Sequence, residues 1–522
     1  MYRVLNQIAP PSVARREANY HAFSEVVPLR LCVSNCAYSR VLVADARVFV
    51  VFGPTDAPMR GMSTGQVAFF AQDVVNASVV EFDATLFSTP DALGFVPSLL
   101  TGWTTSSCFV QAFVNSNPLD PDMMSCAGNM YSKPILLDWS VLATERTVFS
   151  LTPSRVINAF PEPPESAFLK NVTFVSPSLS AYHGRDIEMY AAVVLPPNYD
   201  KAQAYPTIYY IEGFGGTETY MQRASSFLES DAGARWKAGV CPSTPMIRIV
   251  LGSRMTYGHT SFADSATNGP WGTALVSELI PHIEETFLSN GRYLMGHSSG
   301  GWSSLWLQIQ HPNIFGGTWS TSPDPVDFTS FQLADIYTTS NIYWDPFGRQ
   351  YPMSRELSFL TVRFANLVER VYGRGNGGQW DAFPAIFSPR LPNGTPAPLY
   401  DKTTGIIDCS VAEHWKQYDI CLLLKAQPDL LTTTLHGRET MLHHKFIGII
   451  GKIRVFCGHE DTYYLDAACR KLQSIVHAPA SAASGNYVEM IAGNHSSIKT
   501  DALYTRIMAE IMQHHSRRST SA

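Results

Sequence analysis

The pentapeptide Gly296-His297-Ser298-Ser299-Gly300 constrains this chain more than any other stretch. An apolar run, Tyr293-Leu294-Met295, leads into it, and a run with helical spacing from Trp302 to Gln310 leads out after Gly301. The spacing predicts a strand, a tight turn and a helix with Ser298 at the apex, the setting in which Gly-x-Ser-x-Gly forms a nucleophile elbow. Such a turn holds the serine in a strained backbone conformation, and its neighbours two residues either side must carry no side chain. The strain pushes the hydroxyl out of the sheet, and the helix aims its first N–H groups at the same point.

Other runs fit around this elbow. Thr207-Ile208-Tyr209-Tyr210-Ile211 and Ile247-Arg248-Ile249-Val250-Leu251 read as strands buried on both faces of a parallel sheet. Leu275, Leu279, Ile283 and Phe287 recur at four-residue spacing, and Leu503, Ile507, Met508, Ile511 and Met512 mark a closing helix. Gly317–Thr321, Lys452–Cys457 and Tyr487–Ile491 supply further strands. Strands alternating with helices predict an α/β fold with a mostly parallel, doubly wound sheet.

At 522 residues the chain is too long for one compact core. Before the sheet, short runs such as Val48–Phe52, Val79–Phe82 and Phe109–Val114 are rich in β-branched and aromatic residues and are separated by turn formers. They predict a small β-sandwich. The expected organisation is a poorly ordered lead-in over 1–30, the β-rich domain over 31–155, a Pro- and Glu-containing linker over 156–174, and the α/β domain over 175–515. Within the last, residues 327–445 show no readable alternation of strand and helix, and so long an excursion between two sheet strands reads as an inserted cap over the site. Its aromatics Tyr343, Trp344, Phe347, Trp380 and Phe383 are candidates for pocket wall or for a local core.

A 45% hydrophobic and 16% charged composition marks a folded globular chain. A net charge of -6 without a long basic run argues against nucleic acid as a partner, and no apolar run is long enough for a membrane span. Nine scattered cysteines, with Cys32 and Cys36 the one close pair, complete no zinc site and point to free thiols in a reducing compartment. With no apolar signal segment in Met1–Phe23, a cytoplasmic location is expected.

A serine hydroxyl needs a base to take its proton and a carboxylate to orient that base. Two loops after later strands offer them: Gly458-His459-Glu460-Asp461 and Gly493-Asn494-His495. Ser298, Asp461, His495 is then the chain order of nucleophile, acid and base. His297 leaves the elbow in poor geometry to serve Ser298, His459 precedes the acid, and His443-His444 and His514-His515 read as solvated. Glu460 competes with Asp461, and Asp324 or Asp327 would supply an acid one strand earlier. The oxyanion calls for two backbone N–H donors. Ser299 follows the nucleophile, and Glu212-Gly213-Phe214-Gly215-Gly216 follows the Thr207–Ile211 strand, so Ser299 and Phe214 are the expected donors.

With these residues placed, residues from about 175 to 512 resemble the putative-esterase family of α/β-hydrolases, which includes esterase D, enterochelin-esterase-like proteins and mycolyltransferases of the antigen 85 type. The resemblance rests on Tyr205–Gly216, Gly258–Ser265, Asn268-Gly269-Pro270-Trp271, Glu278-Leu279-Ile280-Pro281, the elbow, and His311–Gly317. It implies a serine esterase on Ser298, Asp461 and His495, taking a small-molecule ester and using no metal or organic cofactor. An acyltransferase on the same residues, and a catalytically silent binding protein on the same fold, are the competing expectations. Glu212 departs from the family pattern, and a carboxylate so near an oxyanion is expected to point away.

Overall fold

The computed structural model describes residues 30–34, 46–62, 67–74, 79–82, 94–95, 107–117, 124, 126–138, 148–159, 161–214, 219–356, 360–372, 378–426, 449–478 and 484–519. The expected lead-in, Gly215, Gly216 and the pair His443-His444 lie outside them, apart from Arg30 of the lead-in. The chain divides into two compact units, one of residues 1–161 with 364–380, the other of 162–363 with 381–522.

The second unit is built on eight strands: β1 (Leu169–Val175), β2 (Glu188–Val194), β3 (Tyr205–Ile211), β4 (Ile247–Leu251), β5 (Ser289–His297), β6 (Gly317–Thr321), β7 (Ile453–Gly458) and β8 (Tyr487–Ile491). Their order across the sheet is β1-β2-β4-β3-β5-β6-β7-β8. The β1–β2 and β2–β4 pairs are antiparallel, and every later pair is parallel. This is the mostly parallel sheet expected from the alternating pattern. The continuous apolar runs exist because both faces are covered. Along β3, Tyr205, Tyr209 and Ile211 enter one core while Ile208 enters the other, and along β2 Met189, Ala191 and Val193 alternate with Ala192 and Val194. The period of two along a strand sends successive side chains to opposite faces.

Helices cover each face. The run from Trp271 through a π turn at Leu275–Leu279 to Thr286 buries Leu275, Leu279, Ile280 and Ile283 against one face. On the other, α1 (Tyr220–Glu229) and the closing helix, which is α4 (Asp501–Ser519), bury Met221, Ala224, Leu503, Ile507 and Ile511. Between them in sequence, α2 (Ser299–Gln310) follows β5 and α3 (Leu465–Val476) precedes β8. Nearly every residue of α2 is buried, Ser303, Ser304 and Gln308 included, and the two hydroxyls and Gln308 Nε2 each donate to a main-chain carbonyl. A helix buried all round sits at the centre of its unit.

The first unit contains a three-stranded sheet (Val79–Phe82, Arg30–Ser34, Val148–Leu151) and a seven-stranded one whose central strands are Cys108–Asn115 and Ala46–Gly53. Phe49, Val51, Phe69 and Phe113 form its core together with Val368 and Val371 of the helix Val362–Tyr372. Arg47, buried in the strand Ala46–Gly53, donates to the Val371 carbonyl at 2.8 Å and pairs with Asp73 at 2.7 Å. Part of the long excursion in sequence therefore belongs to the N-terminal unit, a relationship that local pattern does not carry.

The rest of the excursion has its own core. The helices Gln379–Phe387 and Cys409–Trp415 bring Phe383, Phe387 and Trp415 against Phe328 and Phe331. Trp302 and Trp306 of α2 stack and meet Phe387 and Tyr418. Of the aromatics singled out from sequence, Tyr343 is buried against Tyr400, Trp380 and Phe383 are buried, and Phe347 stands exposed. Local pattern does not mark the helices of this segment, because they are short and one of them carries Pro384, a breaker in sequence, in its interior.

Candidate active site

The carboxyl ends of the parallel strands converge. Ile211 pairs with Gly296, His297 with Thr321, Thr321 with Phe456, and Gly458 with Ile491. Side chains on the loops leaving these ends share one edge of the sheet, where open α/β sheets place their sites.

Ser298 stands between β5 and α2 at φ 58° and ψ -125°. A non-glycine residue in this conformation is strained, and it is held by Ser298 N–H donating to the Thr321 carbonyl (3.0 Å) and by the Trp302 and Asp324 N–H groups donating to the Ser298 carbonyl (3.0 and 3.1 Å). A Cβ on Gly300 would lie 2.0 Å from the Ile211 carbonyl oxygen, so the start of α2 approaches the end of β3 as only glycine permits. A Cβ on Gly213 would lie 3.0 Å from Ser298 Cβ and 3.1 Å from the His297 carbonyl oxygen. The loop after β3 thus runs directly against the serine.

His495 follows β8. Asn494 accepts from the Ser496 and Ser497 N–H groups at 3.1 and 2.8 Å, and this local turn presents the imidazole. His495 Nδ1 lies 2.8 Å from Asp461 Oδ2, and Asp461 Oδ1 accepts from the Tyr463 N–H at 2.9 Å. Tyr463 meets the His495 ring edge to face, with centroids 5.0 Å apart, and the His297 ring lies 4.6 Å from it on centroids. Glu460, next to Asp461, is exposed at the end of the same loop. His459 is exposed as well, 3.3 Å from the Arg470 guanidinium.

Titratable groups nearby carry shifted pKa values, and burial raises that of Tyr463. His297, whose Nδ1 is 3.1 Å from the Thr321 hydroxyl, is lowered to about 2, first by burial and then by the charge of His495. His259 is buried and lowered to about 4 by that burial. Its Nδ1 accepts from the Ser261 N–H at 2.9 Å, which leaves Nε2–H to donate to the Glu212 carbonyl at 2.8 Å. That bond fixes the peptide leading into Gly213 and Phe214. Asp324 is raised to about 6 by burial, against the hydrogen bonds it accepts from the Ser299 hydroxyl (2.5 Å) and the Ser298 hydroxyl (3.4 Å).

The structure therefore brings Ser298, Ser299, Gly213, Asp461 and His495 to one edge. Asp324 also belongs to this cluster, under the elbow, whereas Asp327 caps the turn Phe328–Ser330 and pairs with Lys425. His514 and His515 are half-buried rather than solvated, because α4 lays them against Tyr293 of β5, and His515 Nδ1 lies 2.9 Å from the Tyr293 hydroxyl. Sequence reasoning missed His259. Its signal was position within Gly258–Ser265, a stretch noted for resemblance alone. Among the described residues no group of three or more His, Cys, Asp or Glu side chains is arranged to hold a metal, and no helix is long and apolar enough to cross a membrane.

Residues 180–434 match the family described as putative esterase. The matched stretch contains Ser298 and ends before Asp461 and His495. Among solved structures, the chain is similar to a ferulic acid esterase (15% identity, covering 66% of this chain and 98% of that one, TM-score 0.36). It is similar also to an S-formylglutathione hydrolase from Agrobacterium tumefaciens (12%, 68% and 97%, TM-score 0.36) and to the fluorophosphonate-binding serine hydrolase F of Staphylococcus aureus (13%, 66% and 97%, TM-score 0.36). No curated protein matches.

Proposed function

We propose that this chain, whose residues 180–434 match the putative-esterase family, is a carboxylic ester hydrolase with Ser298 as its nucleophile, His495 as its general base and Asp461 as the acid that orients the base. One observation carries this reading. The hydroxyl at the strained apex of the elbow shares the sheet edge with a buried imidazole whose Nδ1 is held by a buried carboxylate, which leaves Nε2 as the free nitrogen.

In the proposed reaction Ser298 Oγ adds to the ester carbonyl while its proton passes to His495 Nε2. The Ser299 and Phe214 N–H groups receive the oxyanion, with His259 holding the loop through Glu212. Collapse breaks the bond to the alcohol, which leaves with the proton from His495. Water, losing its proton to the same nitrogen, then adds to the acyl-enzyme, and collapse returns the acid and the free serine. Neutral His297 adds no charge beside the His495 imidazolium.

The Ser298→Ala variant tests the assignment. Turnover of short-chain aryl esters and fluorophosphonate labelling are expected to vanish with the thermal transition unchanged; labelling that survives places the nucleophile elsewhere. Product analysis with an added alcohol separates hydrolysis from acyl transfer.

Two coarser features join the proposal. The inserted segment is read as bordering the site, supported by the close approach of the Phe214 ring and Ala382 at Gly258. The two N-terminal sheets are read as a sandwich module.

A further inference from the structure

The insertion sends one short segment, Ser354-Arg355-Glu356, to the loops that carry Asp461 and His495. Arg355 N–H donates to the Thr462 carbonyl at 2.8 Å, and Arg355 Nε–H donates to the Asp461 carbonyl at 2.9 Å. Its Nη2 reaches Asp466 Oδ1 at 2.9 Å, at the start of α3, and its guanidinium lies over the Tyr464 ring. Glu356 Oε1 accepts from the Thr462 hydroxyl at 2.9 Å and from Asn494 Nδ2 at 2.8 Å. Thr462 is the neighbour of Asp461, and Asn494 is the neighbour of His495.

We infer that Arg355 and Glu356 form a brace that sets the register of the loop bearing Asp461 against the loop bearing His495. The inference rests on the function proposed above and makes both side chains positioning residues, since neither touches Ser298. The two loops leave adjacent parallel strands, and sheet hydrogen bonding ends at Gly458 and Ile491. Beyond that point His459 N–H donates to the Ile491 carbonyl and Glu460 N–H to the Gly493 carbonyl, at 2.8 and 3.2 Å. These bonds hold the bases of the loops, and Glu356 ties their tips. A single carboxylate oxygen shared by one donor from each loop fixes the distance between the loops as two separate contacts would not. An imidazole that serves as base must sit within a fraction of an ångström of its productive position, and a shift of about 1 Å costs on the order of a hundredfold in rate. The same segment belongs to the insertion, so the element read as bordering the site also holds its acid and base in place.

The test is a double-mutant cycle on Glu356→Ala and Asn494→Ala, with Glu356→Gln as the conservative variant. All are compared at equal concentrations of titrated Ser298 in the full-length chain, with a short-chain aryl ester. The expected result is a fall in kcat of roughly tenfold or more in each single variant with KM within about twofold, since the lost interaction orients the base rather than binds substrate. The double variant is expected to be no worse than either single one. Glu356→Gln keeps the accepting oxygen and is expected to recover most of kcat. Losses that multiply in the double variant, or a Glu356→Ala variant that keeps its kcat, overturn the brace. If Glu356→Ala fails to fold, Thr462→Val removes the other donor to Glu356 while leaving the Asn494 turn intact, and a kcat that stays at the wild-type value in it overturns the brace. If the wild type shows no Ser298-dependent turnover, the functional reading fails separately. The brace is then read from the downfield proton resonance of His495 Nδ1–H, whose exchange with water is expected to quicken in Glu356→Ala, and an unchanged exchange rate overturns it.

Discussion

His495 Nδ1 and Asp461 Oδ2 are 2.8 Å apart, with Asp461 fully buried and His495 only 7% exposed. Glu460, its neighbour, is turned to solvent. The turn at His459-Glu460 sends the two carboxylates different ways, and of the two Asp461 is the one bonded to the imidazole. Asp461→Asn is therefore expected to lower kcat by several orders of magnitude, about 10⁴-fold where such an acid is replaced by its amide. Glu460→Gln is expected to stay within about twofold of wild type, as exposed substitutions do. Steady-state ester hydrolysis by the two variants decides it, and the reverse ranking gives the role to Glu460.

A Cβ on Gly213 would lie 3.0 Å from Ser298 Cβ and 3.1 Å from the His297 carbonyl oxygen, a tight contact that the elbow or the loop relieves only by shifting a few tenths of an ångström. Gly213→Ala is expected to displace the loop that carries the Phe214 N–H. The loss of one oxyanion donor corresponds to a fall in kcat of about 10²-fold or more. Inhibition by a trifluoromethyl ketone, whose adduct needs the same donor, should weaken in parallel, while the folded fraction measured by circular dichroism stays constant. Unchanged kcat would assign the donor to another segment.

His259 and His297 are held neutral in the fold, at about 4 and about 2, below the ordinary histidine value of 6.5. The unfolded chain takes up their protons from pH 6.5 downward and the folded chain does not. The stability tied to them is therefore complete above pH 6.5 and is lost as pH falls toward 4. His259→Gln cannot titrate, and its urea midpoint is expected to fall less steeply than that of the wild type between pH 6.5 and 4. A parallel pair of curves would mean that His259 accepts its proton within the fold.

Asp324 acts with the opposite sign. Burial raises it to about 6 from 3.8, so between those values the folded state keeps a proton that the unfolded state has released. Stability from this group declines as pH rises from about 4 to about 6. Asp324→Asn removes that decline. The difference in Tm between variant and wild type is expected to become more positive across that interval, read by thermal denaturation at matched ionic strength. A difference independent of pH would show that Asp324 is ionised throughout.

The elbow was legible because its requirements are local. Strand, glycine spacing and helix all lie within Tyr293–Gln310, and the steric reason for Gly296 is a contact made by the turn itself, with the Gly300 carbonyl. The parallel sheet was legible for a similar reason, since β3 and β4 are apolar over most of their length, Thr207 and Arg248 apart, as suits strands covered on both faces. Chain order also put Asp461 and His495 at the sheet edge where Ser298 lies, because a loop that follows a parallel strand emerges there.

Tertiary structure alone decided the rest. Asp461 and Glu460 are chemically near equivalent, and which one is buried depends on the side of the loop that faces β8, a matter of three-dimensional path. The bond of His259 to the Glu212 carbonyl spans 47 residues, and no pattern in a sequence marks it. The assignment of Phe364–Trp380 to the N-terminal unit depends on Val368 and Val371 finding Phe49 and Phe113, far away in the chain. The contact of Glu356 with Thr462 and Asn494 joins segments more than a hundred residues apart. Sequence fixes what a residue can do with its near neighbours, and packing chooses its distant ones.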